Sequence, residues 1–176
     1  MSTATNHPRA QPSGASAADI YLHVQTKRAG KIKGESTSTG HADDIVVTGW
    51  HWGVRANSAL GSVGASERRS YTALTIHKQI DRSTTGLMSA LVTNDDVEEA
   101  KLSLRRAGGA QEDYFIVQLK DARISSVEHT TDALGHPSET VSIVFTKIEV
   151  EYRPQLSTGL RGGGTTFSDE IYNTNA

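Results

Sequence analysis

Ile45-Val46-Val47-Thr48-Gly49-Trp50-His51-Trp52-Gly53-Val54-Arg55 reads as a β-strand, with side chains alternating between two faces. Both tryptophans of the chain stand in this stretch, two residues apart, so a strand puts both rings on one face. Val46, Thr48, Trp50, Trp52 and Val54 share that face, which predicts a small, tightly filled sheet core with Trp50 and Trp52 inside it. His51 then points the other way, beside Ile45, Val47, Gly49 and Gly53. That second face is too apolar for plain exposure and predicts a contact with another subunit.

Working outward, Ile20, Leu22 and Val24 alternate with Tyr21, His23 and Gln25 as a half-buried strand. The polar stretch Lys27 to Asp44 reads as a long loop, and so does Ala56 to Ser70, with two glycines and no aromatic group. Thr72, Leu74, Ile76, Lys78 and Ile80 resume the strand pattern. One helix is expected: Ser83 as N-cap, Leu87, Met88, Leu91 and Val92 at helical spacing, and Asn94 closing it. Ala100 to Lys120 reads as a hairpin turning at Ala107-Gly108-Gly109-Ala110.

The next two strands change phase. Phe115, Val117 and Leu119 are apolar at odd positions, whereas Ala122 and Ile124 continue at even ones. Val141, Ile143 and Phe145 likewise give way to Ile148, Val150 and Tyr152, so each strand must carry a bulge or a sharp bend. Long bent strands with one short α-helix predict a mainly β fold, a small antiparallel β-barrel. Past Pro154 the chain is glycine-rich before a short segment, Thr166 to Tyr172.

The chain has 176 residues, a net charge of -2 and no cysteine. Near-neutral charge gives no reason to expect nucleic acid or an anionic membrane as partner, no run approaches the roughly 20 apolar residues of a membrane-inserted helix, and without cysteine there is no thiol nucleophile or zinc-thiolate site. Residues 1–18 hold almost nothing large and apolar, which predicts a disordered N-terminal extension before one domain, 19–176. They also lack the apolar stretch of roughly 7–15 residues that a secretory signal requires.

The sequence carries no recognisable catalytic or metal-binding motif. His129 and His136, with Glu128 and Asp132 nearby, lack the helical spacing that puts two metal ligands on one face. Gly61-Ser62-Val63-Gly64 has the wrong spacing for a serine nucleophile, and no glycine cluster carries the Lys-Ser/Thr of a phosphate loop. Asp43-Asp44, Asp95-Asp96 and Glu98-Glu99 have no apolar surroundings to raise a carboxyl pKa. No cofactor is expected.

Lys33-Gly34-Glu35-Ser36, then His41, then Ile45-Val46-Val47 and Trp50-His51-Trp52-Gly53 resemble the opening of the haemolysin-coregulated protein (Hcp) family. The resemblance continues through Ile80-Asp81-Arg82-Ser83-Thr84, Arg106-Ala107-Gly108-Gly109 and Ile124-Ser125-Ser126-Val127 to the Tyr152 strand end. It implies a non-enzymatic tube protein of the bacterial type VI secretion system. Homohexameric rings would stack into a tube that a contractile sheath drives out with the spike, from a baseplate, carrying small effectors in its lumen. The protein would assemble in the cytoplasm and leave the cell without a cleaved signal peptide. The resemblance also implies that His51 faces the lumen. It makes Ala56, Asn57, Ser58, Leu60, Val63 and Ser66 part of an extended loop that reaches a neighbouring ring or subunit. The rival reading is a monomeric β-barrel that binds a small ligand, which two indoles in a small barrel disfavour.

Overall fold

Leu22, Ile45, Leu74, Ile76, Leu102, Leu119 and Ile143 are shut off from solvent in a single core, and one curved sheet is built around them. The structure is a computed structural model that describes residues 18–56, 69–106, 112–154 and 163–171. Its strands are β1 (Ala18–Thr26), β2 (Gly30–Lys31), β3 (Ile45–Val47), β4 (Gly49–His51), β5 (Val54–Ala56), β6 (Arg69–Tyr71) and β7 (Leu74–Lys78). After α1 (Ser83–Val92) come β8 (Val97–Arg106), β9 (Asp113–Thr131), β10 (Pro137–Tyr152) and β11 (Thr165–Glu170). Antiparallel pairing gives the order β2-β1-β8-β9-β10-β7-β4, with β11 on the distal half of β10 and β5 paired to β6 as a separate ribbon.

The tryptophan segment is not one strand with one inner face. It breaks at Thr48, whose amide and hydroxyl both donate to the His77 carbonyl at 2.8 and 3.0 Å. Before the break, β3 pairs with β1 and buries Ile45 and Val47, leaving Val46 exposed. After it, β4 pairs with β7, Trp50 lies opposite Ile76, and the even positions turn inward. A single segment therefore runs from one end of the curved sheet to the other, whose end strands are not paired to each other, and changes its facing as it changes partner. Ile45 and Val47 are core residues, so the apolar outer face expected here, and the subunit contact inferred from it, lose their premise.

The bend expected in β9 is present, and in β10 exposed Thr146 and half-buried Lys147 separate Phe145 from buried Ile148 at the expected change of phase. Asp121 adopts a left-handed φ of 48°, with Lys120 and Asp121 both exposed between buried Leu119 and buried Ala122. The β9–β10 register shifts between Ser142 and Ile143, where Ser125 is the extra residue. The hairpin is carried by the β8–β9 pairing, Leu104 opposite Phe115; its expected turn, 107–110, lies outside the described residues.

The helix forms, but Ser83 is not its cap. Ser83 is the first helical residue, and Asp81 accepts from both its amide and its hydroxyl. A carboxylate two residues earlier outcompetes a hydroxyl for the free amide. Leu87 and Ala90 are buried, whereas Met88 and Val92 face solvent. Asn94, at φ 51°, ends the helix as expected, and the amide of Asp95 returns to the Ala90 carbonyl at 2.9 Å.

Candidate functional site

The expected loop before β3 folds into an ordered tongue. Gly34 and Ser36 donate to the Asp43 and Asp44 carbonyls at 2.9 and 3.1 Å. A side chain on Gly34 would put its Cβ 2.4 Å from the Asp44 carbonyl oxygen, so the tongue closes only on glycine. His41 is buried beneath it and stacks on Tyr21 with ring centres 4.3 Å apart. Its Nδ1 lies 3.0 Å from Asp44 and its Nε2 2.9 Å from Asp113, so the ring is held between two carboxyl groups. Burial pushes the Asp44 carboxyl up, but hydrogen bonds from Lys31, His41 and His23 outweigh it and hold Asp44 below the ordinary carboxylate range. Arg105 adds a bond to Asp113 at 3.4 Å and one to the Thr39 carbonyl at 3.0 Å.

A second buried node sits under the start of α1. Lys78, at an inward position of β7, is fully buried. Its Nζ is 2.9 Å from Asp81 and 3.3 Å from the equally buried Glu139 on β10. Thr84 donates to the other Glu139 oxygen at 2.7 Å, and His129 lies 3.2 Å from it. Every charge in the node is answered, as burial requires. Each node is closed by hydrogen bonds and ion pairs among its own residues.

The outward face of β4, β7, β10 and β9 has a different character. One cross-strand row reads His51, Thr75, Ser142 and Ser126; the next reads Gly49, His77, Thr140 and Glu128. His51 is exposed and points away from the core, as its place between two tryptophans required. Hydroxyls bond to one another across the face: Thr75 to Ser142 at 3.2 Å, and Thr130 to Ser138 at 3.0 Å. Trp50 and Trp52 lie on the reverse side, half-buried against the core, with Trp50 facing Phe115 and Trp52 facing Tyr71 at 6.0 and 6.1 Å.

Beyond β4 the chain leaves the barrel as the β5–β6 ribbon, in which Val54 pairs with Tyr71 and Ala56 with Arg69. Ala56, expected as a loop residue, ends a strand and is exposed. Asn57, Ser58, Leu60, Val63 and Ser66 lie outside the described residues, as does the Gly61-Ser62-Val63-Gly64 stretch. Asp169 of β11 anchors the ribbon, accepting from Arg69 and from the Tyr71 hydroxyl. Those two bonds hold the Asp169 carboxyl below its usual range, while burial and the facing carboxylate push Tyr71 up. Sequence reasoning missed both buried nodes and this anchor.

The histidine-carboxylate cluster does not assemble. His129 turns to Glu139, and His136 pairs with Asp132 at 3.0 Å in the exposed β9–β10 turn. Among the described residues, no three His, Asp or Glu side chains converge as a metal ion would need.

Residues 21–152 match the family described as "Type VI secretion system effector, Hcp". Over 153 residues the chain is 34% identical to protein Hcp1 of Pseudomonas aeruginosa, an alignment covering 84% of this chain and 91% of that protein. Hcp1 of Salmonella typhimurium superposes with a TM-score of 0.69 at 25% identity, covering 88% of this chain and 95% of that one. A protein described as a type six secretion system protein superposes with a TM-score of 0.77, covering 88% of this chain and 96% of its own. Its 24% identity makes that likeness one of fold.

Proposed function

The chain belongs to the Hcp family of type VI secretion proteins, and on that premise we propose that it is the subunit of a secretion tube. Six copies close into a ring, rings stack, and a contracting sheath drives the stack and its spike outward from the baseplate. The observation that carries this reading is the family match, which runs from β1 to the last residue of β10 and so takes in the strands that build the barrel. The role is mechanical rather than catalytic.

The outward face of β4, β7, β10 and β9 forms the inner wall of the ring, with His51 on it, and small effector proteins travel against it. Ser, Thr and Gly, which make up most of the two rows beside His51, suit such a wall, because small polar groups offer a passing protein little hydrophobic contact. The β5–β6 ribbon aims the segment between its strands, 57–68, at a neighbouring ring. Residues 19–176 act as one domain behind an N-terminal extension. The protein is built in the cytoplasm and expelled without a cleaved signal. Among the described residues, no helix is long and apolar enough to cross a membrane.

Electron microscopy of the purified protein tests this reading. Six-lobed rings with a central opening are expected. Compact particles of single-chain size at every concentration would overturn it.

A further inference from the structure

We propose that β11 is a strap that holds the β5–β6 ribbon in place, and that ribbon and strap open and close as one unit while the rest of the fold stays closed. Neither element has a core of its own. Val54, Arg55 and Ala56 of the ribbon are exposed, and so is β11 from Thr165 to Ser168. The ribbon is a separate two-stranded sheet, and among the described residues β11 pairs with β10 alone. A two-stranded ribbon is marginal in water by itself, so what lies against it decides its position. Segments with few buried apolar contacts and exposed backbone bonds are also the first to open.

One carboxylate joins the two. Asp169 on β11 accepts from Arg69 Nε and, at 2.8 Å, from Arg69 Nη2, a forked geometry that fixes direction as well as distance. The Tyr71 hydroxyl donates to the same carboxylate from 98 residues away in the chain. Arg69 Nη2 also reaches the Glu170 carbonyl at 3.3 Å. Tyr71 leans on Trp52 and Phe145, with ring centres 6.1 and 6.0 Å away, so strap and ribbon close onto the core at one point. At the base of the ribbon the Thr72 amide donates to the Gly53 carbonyl at 3.0 Å, and the Gly53 amide to the Thr72 hydroxyl at 2.9 Å. That base is the hinge. β11 is itself tied down at the end that holds the ribbon: the Ile171 amide donates to the Thr146 carbonyl at 2.7 Å, and Lys147 lies 3.6 Å from Glu170. Ion pairs this exposed are individually weak, so the two elements stand by mutual support, and what steadies one steadies the other by the same factor. The consequence for assembly rests on the tube-subunit reading: a neighbouring ring that grips the ribbon also tightens β11.

Hydrogen exchange of the full chain, read by mass spectrometry on peptides from the ribbon, β11 and β8, tests the coupling, with the solution mass measured in each sample. One variant alters each element: Arg69→Gln/Tyr71→Phe on the ribbon and Asp169→Asn on β11. Each is expected to speed exchange in both ribbon and β11 by a similar factor, roughly twofold to fivefold, the loss of an exposed ion pair. β8 keeps the parent rate in both. The decisive reading is β11 in the ribbon variant, where its own sequence is unchanged. A rise confined to the ribbon overturns the proposal. So does a rise that reaches β8, because the variants would then loosen the fold as a whole. Uncoupled exchange at a ring-sized mass defeats this inference alone, whereas coupled exchange in a chain that stays single at every concentration defeats the ring and leaves the strap.

Discussion

The two sides of β4, β7, β10 and β9 are made to opposite requirements. Inward, Trp50, Ile76, Val141 and Val127 form one row, and the next carries Lys78 opposite Glu139, sealed from water and tied by hydrogen bonds. Outward, one residue away along the same strands, stand His51, Thr75, Ser142 and Ser126, small, polar and open to solvent at His51. The inner side tolerates little because packing and buried charge leave no slack. The outer side has few internal obligations, so its residue types are available for a partner.

That contrast breaks most readily at the buried pair. Lys78→Ala leaves Glu139 without its cation, and a loss of about 3–5 kcal/mol is expected in urea unfolding. A loss below about 1 kcal/mol would mean that the node contributes little and that the inner side is more permissive than claimed. Gly34→Ala forces a methyl group against the Asp44–Ile45 main chain, and a loss of roughly 1–3 kcal/mol follows from overpacking alone.

Asp169 and Asp44 sharpen the comparison through pH. Both carboxyls are held below their ordinary value in the folded chain. The unfolded chain therefore takes up protons first as pH falls, so the stability these groups supply is present above about pH 4 and is lost on acidification through the folded-state values. Asp44→Asn and Asp169→Asn should each flatten the acid side of a melting-temperature profile. Asp169→Asn also loosens the ribbon, read as faster trypsin cleavage at Arg55 and Arg69, with a stability change of about 1 kcal/mol or less. The smallest effects belong to the outer side: His51→Ala and Thr75→Ala should each stay within about 0.5 kcal/mol of the parent in thermal unfolding. A larger loss at either would show that the outward face also holds the fold.

Local patterns carried far. The strands of Leu22 and Val24, and of Leu74 and Ile76, follow from alternation, and the slip between Leu119 and Ala122 announced the bend that Asp121 makes with its positive φ. His51 was legible as outward because its two neighbours were large and aromatic. What failed was phase over Ile45-Val46-Val47, where three apolar residues in a row give alternation nothing to register on. The change of partner at Thr48 then reversed the facing. The helix start was misread because Asp81 takes the role expected of Ser83. The nodes were out of reach for another reason: Lys78 meets Glu139 across 61 residues and His41 meets Asp113 across 72, distances at which only the completed topology brings them together.

The most direct measurement is the solution mass by light scattering across a dilution series. A species near six times the 18.9 kDa of one chain is the result the tube-subunit account predicts. A mass of one chain at every concentration would contradict it.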